Sequence, residues 1–436
     1  MKNTMGNPML IGPKNNLAKK VIFAILLMWV AFTLYKAYTD VKIYGGCDLR
    51  TRVTSTRLLG TDQSPYFYFW KPGDNERFLS PGNKQGELAN GNVVTPAVMT
   101  VLYPMYQLPY KTIRWLWAIL EIGFAIGTIL LLLKSAKLKN VYPVALVTIG
   151  LLCSDFFLAE LERGQMYLGY CFYFSLLYFT FQKKTKYATL ISGILGGLFL
   201  FFRPFAGIIL LPFLIQKEWK WIKGWALGLA SGIGLLVLPF QKYWWQYFEA
   251  MGKYKQMYFD KIPLQLTPFN FEYPKVIEGM ENLGNVKGFN VYVISAAGNF
   301  FHLPGLKPSL LALYSSFLFL VLILLYFFKK VHKNAKPATY QVFLLAFALY
   351  ILAEIFSPSL RAGYNGIQWL FPLLLLLLNA NLYKWQLGLL VFCFLLFHNF
   401  PLTFGPYMQV GELGLLLLVL TESMKNYDNQ KTALKG

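Results

Sequence analysis

Val21 to Tyr38 reads VIFAILLMWVAFTLYKAY, a run whose one charged residue is Lys36. Inside hydrocarbon such a segment can pair all its backbone N–H and C=O groups only as an α-helix. It follows the basic segment Lys14 to Lys20, it is longer than a signal-peptide core, and no small-x-small cleavage pattern comes after it. A retained membrane helix is therefore expected. Outward along the chain, apolar runs recur at 112–133, 141–158, 167–182, 187–202, 205–216, 224–240, 309–328, 338–356, 366–382, 386–400 and 406–422. The expected fold class is an all-α polytopic membrane protein, a bundle of about twelve transmembrane helices, several of them short. Residues 1–436 then form a single integral membrane domain with two large extracytoplasmic loops, 39–111 and 241–308, both carrying interfacial helices.

Composition agrees. Of 436 residues, 56% are hydrophobic and only 14% charged, which excludes an ordinary soluble domain. The formal net charge of +21 would point to nucleic acid in a soluble protein. Here the lysines fall in short connections between apolar runs, at 134–140, 183–186, 217–223 and 329–336, so they read as topology determinants and no nucleic-acid partner is expected. With both termini cytoplasmic, every lysine-rich short loop lands on one side of a cell membrane. The acids, arginines and prolines collect on the other side, where chemistry is expected. Cys47, Cys153, Cys171 and Cys393 show no metal or disulfide spacing.

The first loop opens with Gly46-Cys47-Asp48-Leu49-Arg50-Thr51-Arg52-Val53. Asp48, just past a helix end, reads either as a general base or as the N-cap of a helix over 49–59. Arg50, Arg52 and Arg57 do not share one helical stripe, so at most one or two face a common ligand. Guanidinium groups suit phosphate, whether of a substrate or of membrane lipids. Glu162-Arg163-Gly164-Gln165 forms a turn at the membrane surface, where Glu162 and Arg163 read as a mutual pair or as ligand contacts. Gln165 reads as a cap or a ligand donor. Arg203-Pro204 interrupts an apolar stretch, and Arg361 follows Ser357-Pro358 in a similar place; Glu354 is the expected partner of Arg361. Of the three histidines only His302 falls in a large loop, and no metal constellation, Ser-His-Asp order, P-loop or GxGxxG pattern is present.

Taken in order, Asp48-Leu49-Arg50, Arg57 through Asp62 to Pro65-Tyr66, Val94-Thr95-Pro96, Tyr103-Pro104, Leu116-Trp117, Arg163-Gly164-Gln165, Arg203-Pro204 and Ser357-Pro358 resemble glycosyltransferase family 87. These are integral-membrane α-mannosyltransferases of the glycosyltransferase C superfold that use polyprenyl-phosphate mannose. The likeness runs over roughly residues 20–375, with Arg203-Pro204 where members carry Lys-Pro and no histidine in 359–365. The resemblance implies inverting transfer of a hexose, mannose by analogy, from a polyprenyl-phosphate donor to a lipid or glycan acceptor. Asp48 would be the base, Arg203, Arg361, Arg50 and Arg163 the donor-phosphate contacts, and Gln165, Tyr66, Glu162 and Tyr364 the substrate contacts. A polyprenyl phosphate is already a good leaving group, so the expected chemistry calls for no cofactor and no metal. Two rival classes stand beside it: a polysaccharide polymerase or ligase using lipid-diphosphate oligosaccharides, and a lipid-carrier transporter.

Overall fold

The computed structural model describes residues 16–43, 46–68, 70, 72–79, 94–135, 141–183, 185–259, 310–356, 363–398 and 405–426. Those residues form helices and turns throughout. The order is α1 (Asn16–Ile43), α2 (Cys47–Leu59), α3 (Pro96–Leu102), α4 (Tyr110–Ser135), α5 (Val141–Leu152), α6 (Asp155–Arg163), α7 (Tyr167–Gln182), α8 (Ala188–Phe202), α9 (Leu210–Ile215), α10 (Trp219–Gly232) and α11 (Gln241–Phe259). After the undescribed stretch come α12 (Leu310–Val331), α13 (Thr339–Ile355), α14 (Leu370–Asn379), α15 (Lys384–Phe397) and α16 (Gly405–Ser423). Short 3-10 segments lie at Pro204–Ile209 and Gly363–Trp369.

The chain is a helical membrane protein, but among the described residues fewer helices are long and apolar enough to span than there are apolar runs. Among the described residues four helical stretches are long and apolar enough to cross a bilayer: Ala24–Lys42, Tyr110–Ser135, Trp219–Gly252 and Tyr314–Val331. A fifth is made by Tyr142–Leu152 with Asp155–Arg163, bent by 44°. This corrects the expected count of about twelve. Pro204 ends α8 after fifteen residues and the run at 205–216 breaks into a 3-10 turn and the six-residue α9. The run at 338–356 is the seventeen-residue α13, in which every residue from Tyr340 to Ile355 is buried. At about 1.5 Å per residue it is about 26 Å long, and protein covers it on all sides. It falls outside the four by length, one residue short of Tyr314–Val331, and still runs from the lysine-rich end of the bundle to Glu354.

Around α13 the core is aromatic. Phe174 of α7 packs edge-on or tilted against Phe199, Phe347, Tyr350 and Phe371, with ring centroids 5.3–5.4 Å apart. α8 lies directly on α10. A Cβ on Gly228 would stand 2.1 Å from the Ile194 carbonyl oxygen and one on Gly197 2.2 Å from that of Trp225, so only glycine permits this approach. Gly228→Val is expected to lower stability by at least about 3 kcal/mol, the upper end for overpacking, read as thermal unfolding in detergent. An unchanged melt would mean that the two helices are not in backbone contact.

Helix directions sort the charges. α4 runs from Arg114 to Lys134, and α7 runs from Tyr167 towards Lys183. α8 and α13 return the opposite way, ending at Arg203 and beside Glu354. At the lysine end Tyr340 bonds Glu422 at 3.1 Å, Gln341 bonds the Lys425 carbonyl at 2.8 Å, His332 meets the Ser423 carbonyl at 3.0 Å, and Lys336 pairs with Glu218 at 2.5 Å. Asp48, Arg163, Arg203 and Glu354 meet at the other end.

Candidate active site

Gly46, in the left-handed region at φ 70°, turns the chain into α2. It occupies the N-cap position, and Asp48 lies in the first helical turn, where the helix dipole favours a carboxylate. Of the two readings of Asp48, the N-cap is not made. Its Oδ2 instead accepts from Arg163 Nε at 2.6 Å and from Gln165 Nε2 at 2.5 Å. Among the described residues Oδ1 takes no bond, and the Asp48 side chain is 31% exposed and that of Arg163 39%. Arg163 thus pairs with Asp48 across the fold, in place of the local pair expected with Glu162.

One turn along α2, Arg52 donates to the Gly164 carbonyl at 2.7 Å and to Gln165 Oε1 at 2.5 Å. That fixes the Gln165 amide with oxygen towards Arg52 and nitrogen towards Asp48. The α6–α7 turn is possible because Gly164 adopts φ 67°, and a Cβ there would stand 2.7 Å from Leu49 Cβ. Arg114 donates to the carbonyls of Leu161 at 2.5 Å and Glu162 at 3.1 Å, and Trp117 Nε1 to that of Gln165 at 3.0 Å. The Glu162 side chain takes no part in this frame.

Arg203 anchors a second polar group. Its Nη2 donates to Glu354 Oε1 at 2.6 Å and to Tyr167 Oη at 2.9 Å, and its Nε to Tyr350 Oη at 3.3 Å. Gln368 Nε2 donates to Glu354 Oε2 at 2.9 Å. Glu354 was expected to meet Arg361, which lies outside the described residues with Ser357, Pro358 and His302; the described partner is Arg203. Side chains here are 23% and 5% exposed, so this pair is the deeper of the two. Aromatic rings join the halves: Arg163 lies 5.3 Å from the Tyr364 ring centre, Tyr364 5.6 Å from Tyr167, and Arg203 5.0 Å over Tyr167. Burial first, and then Tyr167, pushes the Tyr364 hydroxyl well above its ordinary value.

Tyr66 stands apart from this wall. Buried at 3% exposure, it donates to the Val94 carbonyl at 2.8 Å and packs 5.9 Å from Tyr247. The substrate contact expected of Tyr66 is not formed by an exposed side chain here. Nearby, Asp62 accepts from Tyr243 Oη at 2.9 Å and Lys242 at 3.2 Å, and these bonds hold its carboxyl below the usual range. Asp62 thereby fastens the first loop to α11. Arg57 is likewise structural, bonding the carbonyls of Tyr106, Arg77 and Leu108 at 3.1–3.2 Å. Arg50 is half-buried in the first turn of α2 beside Cys47 and Asp48. Burial and the Asp48 carboxylate push the Cys47 thiol up, and Arg163 and Arg50 pull it down.

No protein-family model, curated protein or solved structure matches this chain. The site therefore rests on its own geometry. Sequence reasoning had singled out Asp48, Arg163, Gln165, Arg203 and Tyr364, and the fold brings these five to one wall. Arg52 was weighed in the sequence with Arg50 and Arg57 but given no role, and Arg114, Glu160, Tyr167 and Gln368 carry no role in that reading. Only Arg52 carried a readable signal, four residues from Asp48 and hence on the same helical face. Among the described residues no three His, Cys, Asp or Glu side chains converge as a metal site.

Proposed function

We propose that this chain is a membrane glycosyltransferase that moves a hexose from a polyprenyl-phosphate carrier to a hydroxyl of a lipid or glycan acceptor. The observation that carries the reading is the Asp48 carboxylate: one oxygen is held by Arg163 and Gln165 while, among the described residues, the other takes no bond, at the end of an apolar helix bundle. In the reaction the acceptor hydroxyl gives its proton to Asp48 Oδ1 as its oxygen bonds the anomeric carbon. The C–O bond to phosphate breaks, and its electron pair leaves with the polyprenyl phosphate. In-line attack inverts the anomeric centre. Arg163, Arg203, Arg50 and Arg361 are the contacts for the departing phosphate; Arg163 is also paired with Asp48 and Arg203 with Glu354. The donor class comes from the resemblance to polyprenyl-phosphate mannosyltransferases, with mannose the first sugar to try. By the positive-inside rule, the lysine end opposite the site faces the cytoplasm and the site faces outward.

The test is transfer in proteoliposomes, with radiolabelled mannosyl phosphoprenol as donor and extracted membrane lipids as acceptor. Label is expected in a new lipid or glycan product. No transfer from this donor, with transfer from a diphosphate-linked oligosaccharide, would move the assignment to a glycan polymerase or ligase.

A further inference from the structure

One carboxylate in the α6–α7 turn is not touched by the proposed reaction. Glu160 is fully buried, and its Oε1 accepts from the backbone N–H of Tyr167 at 2.5 Å and of Leu168 at 3.1 Å. These are the first two N–H groups of α7, which have no acceptor within their own helix. The Glu160 carbonyl meanwhile takes the N–H of Gly164 at 2.9 Å and of Gln165 at 3.1 Å. One residue therefore ties the end of α6 to the start of α7, and Arg163 and Gln165 project from between those ties. The charged groups that face it are Arg52 and Asp48 from α2 and Glu121 from α4, with Arg114 beside Glu121. Arg52 and Arg114 direct their bonds at the carbonyls of the turn and at Gln165, not at Glu160.

We propose that Glu160 is the positioning residue for Asp48: by capping α7 it holds the Gln165 amide and the Arg163 guanidinium against the Asp48 carboxylate. The role rests on the reading of Asp48 as the base, and no bond or proton changes hands at Glu160. Glu160→Ala leaves two buried N–H groups without an acceptor and frees the first turn of α7. A displacement of about 1 Å at Gln165 lowers kcat by about a hundredfold, with KM for the donor little changed. Glu160→Gln, whose amide oxygen accepts the same two bonds, recovers most of that loss.

A second readout needs no substrate. Cys47 adjoins Asp48 and is half-exposed, whereas Cys153, Cys171 and Cys393 are buried, so maleimide alkylation of the full chain in detergent reports on Cys47. Its rate and pH midpoint follow the placement of the Asp48 and Arg163 charges. The expected result is a changed Cys47 profile and a lowered kcat in Glu160→Ala, both restored in Glu160→Gln, with similar melting of the two variants. A Cys47 profile and kcat unchanged in Glu160→Ala overturns the proposal, as does loss of fold in both variants without rescue. If wild type transfers no sugar yet the Cys47 profile responds to Ala and returns with Gln, the positioning stands and the sugar-transfer reading falls.

Discussion

Asp48→Asn is expected to lower kcat for sugar transfer by at least about a hundredfold, the range for removal of a general base, with KM for the donor little altered. The substitution keeps size and shape. The remaining amide oxygen can still accept from Arg163 and Gln165, as Oδ2 does at 2.6 and 2.5 Å. What changes is the open position: an NH₂ group stands where Oδ1 was, and it cannot accept the acceptor's proton. A loss confined to kcat is the mark of an interaction made in the transition state. Steady-state transfer in proteoliposomes reads both parameters. Equal transfer by the two proteins would leave Asp48 as a clamp between α2 and the α6–α7 turn, and the base would have to be sought elsewhere.

Glu354→Leu is expected to cost about 3 kcal/mol of stability, the lower end for breaking a buried pair, because it leaves the largely buried Arg203 guanidinium without its counter-charge. Glu354 gathers Arg203, Tyr350 and Gln368, at 2.6, 2.8 and 2.9 Å. Removing it leaves all three donors short of an acceptor. The double variant Arg203→Leu with Glu354→Leu removes both charges and is expected to recover much of the loss, since a buried ion pair contributes little over an apolar replacement of similar volume. Unfolding of the four proteins in detergent closes the double-mutant cycle. A single variant as stable as wild type would show that solvent reaches Arg203 after all. The cycle also separates scaffold from chemistry, because the double variant loses the Arg203 contacts to Tyr167 and Tyr350 and with them the support of the ring wall.

Much of the site was legible because charge is rare in an apolar chain. Asp48, Arg163, Gln165 and Arg203 stood out as polar breaks between long apolar runs, and helices that alternate in direction carry such breaks to one end. Which group pairs with which was not legible. Arg163 has Glu162 beside it in the chain but bonds Asp48, more than a hundred residues away. Tyr66 was a substrate contact only by the family resemblance, and nothing local told that its hydroxyl bonds the Val94 carbonyl. Glu160 sat in an unremarkable amphipathic segment, and its role exists only because α6 breaks at Gly164 and α7 starts against it.

By itself the sequence determined that this is a helical membrane protein with lysines gathered in one set of connections and acids and arginines in the other. Those are local properties: apolar run length and the scarcity of charge are written residue by residue. Only the tertiary structure decided how long an unbroken helix each run makes and which helices protein covers on all sides, as it does α13, because hydropathy measures how apolar a run is and neither where its helix breaks nor what packs on it. Only the tertiary structure, too, paired Asp48 with Arg163 and Arg203 with Glu354. Those bonds form between helices remote in the chain, and packing alone sets the distances at which they meet.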